Sequence, residues 1–62
     1  MRKLTYFVLE DGGTSGLEFI TDRTPQWTEE QYQRHRTHIV MELLSDEETE
    51  ETNPVSREVG LG

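Results

Sequence analysis

His35, His38 and Glu42 are the residues whose types and spacing come nearest to a metal-binding set. Imidazole nitrogens with a carboxylate oxygen suit zinc or another divalent ion. On a helical wheel with Tyr32 at 0°, these i, i+3 and i+7 positions fall at about 300°, 240° and 280°, one ridge beside an apolar stripe. The spacing His-x-x-His-x-x-x-Glu differs from the metalloprotease helix, which needs histidines at i and i+4 with glutamate directly after the first. The simpler reading is a solvated flank in which Glu42 pairs with His38, and neither a metal nor a cofactor is expected.

A second cluster, Arg34, Arg36 and His38, could meet phosphates, with Gln31 and Gln33 available for base edges. Arg36 falls near 40° on the same wheel, inside the apolar stripe, so it is expected to snorkel or to pair with Glu10 or Glu18. Too few outward cations then remain for strong phosphate binding. Gly12-Gly13-Thr14-Ser15-Gly16 is loop chemistry, but it lacks a P-loop lysine, does not match G-x-G-x-x-G and leads towards a strand. No nucleophile, base and orienting group can be assembled, and the chain reads as non-enzymatic.

The elements that would position these residues follow from hydrophobic period. Leu4 to Leu9 and Leu17 to Thr21 are rich in β-branched and aromatic residues and predict two strands, joined across Glu10 to Gly16 as an antiparallel hairpin. Thr28 with Gln31 three residues on spells a capping box, with Trp27 and Tyr32 at staple spacing. Tyr32, Ile39, Val40, Leu43 and Leu44 then form one stripe, predicting a helix from Glu29 to about Ser45.

Charge divides unevenly along the 62 residues. Thirteen acidic against six basic side chains give a net −7. Residues 46–62 hold six of the acids and only Arg57 as a base, a net of 1 − 6 = −5, which leaves −2 for residues 1–45. Such a segment has too little apolar surface to offset the entropy of ordering, so a ββα domain over 1–45 and a disordered acidic tail over 46–62 are expected. On that division, residues 1–45 should fold as well as the whole chain. The run Ser45 to Thr52 admits a phosphorylation target or a mimic of nucleic-acid charge beside the plainer reading of a solubilising tail. With no cysteine there is neither a disulfide framework nor a zinc-thiolate site. The longest apolar run is Tyr6 to Leu9, so neither a signal peptide nor a membrane span is expected, and the chain reads as cytoplasmic.

The expected fold class is therefore α+β, a small ββα unit. Strand one is apolar on both faces: Leu4, Tyr6 and Val8 share one, Phe7 and Leu9 the other. One helix covers one face, so a partner should cover the second. The leading expectation is a small acidic regulator or inhibitor, of the viral or mobile-element accessory kind, that docks on a larger protein with a basic groove. Tyr6, Phe7, Val8, Leu9, Arg34, His38 and Met41 are its candidate binding residues, Met41 as an apolar spot opposite the stripe. The alternative is a homodimeric ββα nucleic-acid binder using an Arg34, Arg36 and His38 helix ridge. Acidic balance disfavours both nucleic acid and anionic lipid surfaces.

Overall fold

In the computed structural model, which describes residues 1–60, the chain opens with β1 (Arg2–Glu10) and β2 (Gly13–Thr21). They form an antiparallel hairpin in which Glu10 faces Gly13 across a two-residue turn of Asp11 and Gly12. Gly12 has φ 98°, the left-handed region that glycine enters without steric cost. The turn is thus tighter than the predicted seven-residue link, and Gly13 to Gly16 belong to the strand.

Thr24 turns the chain into α1 (Pro25–Gln33). Its Oγ1 accepts from the Trp27 N–H at 3.1 Å, and Pro25 sits at the first helical position, where a missing N–H costs nothing. Thr28, expected as the cap, lies inside the helix. It is buried, and its hydroxyl donates to the Thr24 carbonyl at 3.0 Å.

The predicted helix over 29–45 is corrected. The helix ends at Gln33, a turned segment follows with His38 at φ 57°, and β3 (Val40–Glu48) runs antiparallel beside β1. Ile39 to Leu44 is short enough to satisfy either period, and β1 decides between them. Its second backbone edge needs hydrogen-bond partners, and an extended Val40–Glu48 supplies them along the length of β1. A bulge where Tyr6 faces Leu43 and Thr5 faces Ser45 leaves Leu44 as the extra residue.

The acidic segment also departs from expectation. Asp46 to Glu48 complete β3, and β4 (Val55–Val59) pairs with β2, while residues 49–54 hold no helix or strand. Those six residues pass round the Met1 end of the sheet, where the Thr49 N–H donates to the Met1 carbonyl at 2.9 Å. Leu61 and Gly62, the last residues of the expected tail, lie outside the described residues. The result is a four-stranded antiparallel sheet, order β3-β1-β2-β4, with one short helix on one face.

Leu4, Tyr6 and Val8 are fully buried beneath that helix with Leu17 and Phe19, and Tyr32, Ile39 and Met41 close the cluster. Phe19 stands edge-on to both Tyr6 and Tyr32, each at 5.8 Å between ring centroids. Edge-to-face pairs of this kind add about 0.5–1.5 kcal/mol each beyond area burial. Among the described residues no helix is long and apolar enough to cross a membrane.

Candidate functional site

Strand pairing sorts the face away from the helix into rows, because residues directly opposite in an antiparallel sheet point the same way. One row reads Glu42, Phe7, Gly16, Val59 across β3, β1, β2 and β4, and the next brings Val40, Leu9 and Thr14 together. No element of the described chain covers these rows. Leu9 is 46% exposed and Val40 61%. Gly16 carries no side chain, and a shallow notch of about 430 Å³ opens there between Phe7 and Val59.

The lower rows carry the charges: Ser45, Thr5, Glu18 and Arg57 form one, and Glu47, Lys3, Ile20 and Val55 the next, in which Ile20 is buried. Arg57 of β4 bonds the Glu18 carboxylate of β2 and also reaches Glu51 at 3.4 Å. Lys3 of β1 lies 3.8 Å from Glu47 of β3. The bond to Glu18 holds the Arg57 guanidinium above its ordinary range. Each acid there has a cationic neighbour, whereas Glu42, in the row with Phe7, has none within ion-pair distance among the described residues.

Of the seven candidate binding residues, Phe7 and Leu9 lie on this open face. The other five are placed elsewhere. Tyr6 and Val8 are fully buried in the core and offer no surface, and Met41 packs half-buried against the same core on the helix side. Arg34 and His38 are exposed in the segment between α1 and β3, outside the paired rows. The helical ridge of Arg34, Arg36 and His38 does not form, because all three follow the last helical residue. The same correction applies to His35, His38 and Glu42: two lie in that segment and the third in β3, and no metal-competent group of three such side chains converges among the described residues. Val40, Val59 and the Gly16 notch were not anticipated. The alternation Val55, Arg57, Val59 was the available signal for β4.

No family model, curated protein or solved structure matches this chain.

A second concavity lies on the helix side. α1 is anchored above β1, where the Tyr6 hydroxyl donates to Glu29 Oε2 at 3.0 Å with the Pro25 carbonyl as a second acceptor in reach at 3.2 Å, and Tyr32 donates to Glu10 Oε1 at 3.3 Å. Burial first, and the Glu29 carboxylate second, hold the Tyr6 phenol well above the ordinary tyrosine range. Tyr32 is raised too, burial again being the larger cause. Beside the helix, above β2 and the start of β4, a cleft of about 580 Å³ is walled by Phe19, Trp27 and Tyr32.

Proposed function

We propose that this protein is a small acidic, non-enzymatic binding module, a regulator or inhibitor that docks on a larger protein through the sheet face opposite its helix. One observation carries the reading: no element of the described chain covers the rows of Phe7, Leu9, Val40 and Val59, whereas α1 packs on the other face over Leu4, Tyr6 and Val8. An apolar centre with a polar surround is the anatomy of a protein interface, and the notch over Gly16 offers a seat for a single anchoring side chain.

Charge selects the partner. Glu42 stands in the row with Phe7 and has no cationic neighbour within ion-pair distance among the described residues, in a chain of net −7. A surface bearing lysine or arginine around an apolar knob satisfies both features, whereas two copies face to face would bring their acidic borders together. The partner is therefore read as basic rather than as a second copy, and the cytoplasm is its proposed setting.

A photo-crosslinking side chain at position 9 tests this in lysate of the native host, with the same group at position 30 of the helix as control. A specific adduct should form from position 9 only. It should weaken as salt rises and fall at least about tenfold with Phe7→Glu, the range expected when an interface centre is charged. Phe7 is not in the core cluster, so the variant should keep its circular dichroism. An adduct of equal yield from both positions, or one indifferent to Phe7→Glu, overturns the reading.

A further inference from the structure

We propose that the helix-side cleft binds a small molecule made of a planar aromatic ring bearing a carboxylate or phosphate, with the ring against Trp27 and Tyr32 and the anion at Arg36. This is independent of the open sheet face, since the cleft lies on the other side of the sheet.

The cleft exists because one nine-residue helix, about 14 Å long, cannot cover four strands. α1 lies towards β1 and β3, and its Trp27 and Tyr32 side wall off the space above β2 and β4. About 580 Å³ is within the range of small-molecule sites, which are mainly apolar with a few polar groups that orient the ligand. Trp27 is 42% exposed, an unusual allowance for the one tryptophan of so small a chain.

The charges are specific. Arg36 lies 4.0 Å over the Tyr32 ring, and its Nη1 donates to the Tyr32 carbonyl at 2.7 Å. A guanidinium has five N–H donors, so most of its donors remain for a ligand, held in a fixed plane by the ring below. Among the described residues no carboxylate lies within 4.0 Å of it, although the chain holds thirteen acids for six bases. Arg23 stands 5.2 Å over Trp27 but has Asp22 at 3.6 Å, which satisfies that end of the cleft. The unmatched positive charge is therefore at Arg36. A cationic guest meets two arginines, a neutral aromatic leaves Arg36 unmatched, and a ringless anion gains nothing from Phe19, Trp27 and Tyr32.

Trp27, being the single tryptophan, reports on the cleft by its own fluorescence. Phenylacetate and phenyl phosphate are titrated into the full chain, with benzyl alcohol and inorganic phosphate as matched probes lacking the charge or the ring. At least one aromatic anion should give a saturable change with Kd at or below about 1 mM, equivalent to roughly −4 kcal/mol, and the two arms tell carboxylate from phosphate. Arg36→Gln should weaken it at least tenfold, Arg36→Lys less, and Arg34→Gln, outside the cleft, should leave it unchanged. No saturable change with either aromatic anion up to about 10 mM, an equal response to benzyl alcohol, or binding indifferent to Arg36→Gln overturns the proposal.

Discussion

Tyr6 concentrates the polar chemistry of the core into one hydroxyl. The ring is fully buried, yet the oxygen reaches Glu29 and the Pro25 carbonyl, so the same residue fills the core and fastens the helix to the sheet. Hydrogen bonds to charged groups contribute about 1.5–3 kcal/mol. Tyr6→Phe should thus destabilise by about that much at pH 7. Its second consequence is a change of pH profile. The folded phenol titrates above the unfolded one, whose pKa is near 10. Below pH 10 both states keep the proton and the contribution is intact. Above it the unfolded phenol ionises first, so unfolding free energy falls by up to about 1.4 kcal/mol per pH unit for each such group. Tyr32 moves in the same direction. Urea melts from pH 7 to 11 should therefore show an alkaline decline that is shallower in Tyr6→Phe than in the parent. Parallel declines would remove Tyr6 from that linkage.

At the scale of elements, the hairpin was legible because two opposed period-2 faces in Leu4 to Leu9 leave no helical alternative. The capping-box pattern at Thr28 put the helix start one turn late; the structure starts it at Thr24-Pro25. β3 was not legible in the same way. Ile39, Val40, Leu43 and Leu44 fit a helical stripe, and what makes them strand is the unpaired backbone of β1, a partner distant in sequence. The site inherits this division: Phe7 and Leu9 could be read from alternation along β1, whereas Val40 and Val59 join them only through pairing. Cap identity makes the helix boundary testable. Thr24→Ala should cost about 1 kcal/mol in a denaturant melt, and Thr24→Ser, which keeps an oxygen acceptor, should cost little. Equal losses from the two would show that the hydroxyl bond to Trp27 is not what starts the helix.

For the whole molecule, the question is whether the acidic C-terminal quarter is an appendage or part of the sheet. Composition alone argues for an appendage, since residues 46–62 carry −5 of the −7. Pairing supplies what composition lacks. Arg2 and Lys3 of β1 meet Asp46 and Glu47 of β3 at 3.8 Å each, so part of the acidic run is balanced by the basic start of the chain. Exposed pairs of this kind are each worth about 0–1 kcal/mol, which assists register more than stability. β4 matters more. Val55 lies directly beside Ile20, which is 1% exposed, and Arg57 holds Glu18. Ending the chain at Ser45 removes β4 and the last three residues of β3, uncovers the backbone edge of β2 and exposes Ile20, whose burial alone is worth about 1.5–3 kcal/mol. The truncated chain should lose on the order of 2–4 kcal/mol, a fall in Tm of roughly 10–25 °C for a chain this small. Val55→Asp in the full chain, which keeps the chain's length but puts a charge beside Ile20, should reproduce part of that loss. If residues 1–45 melt at the same temperature as the full chain, β4 contributes nothing and the acidic quarter is an appendage after all.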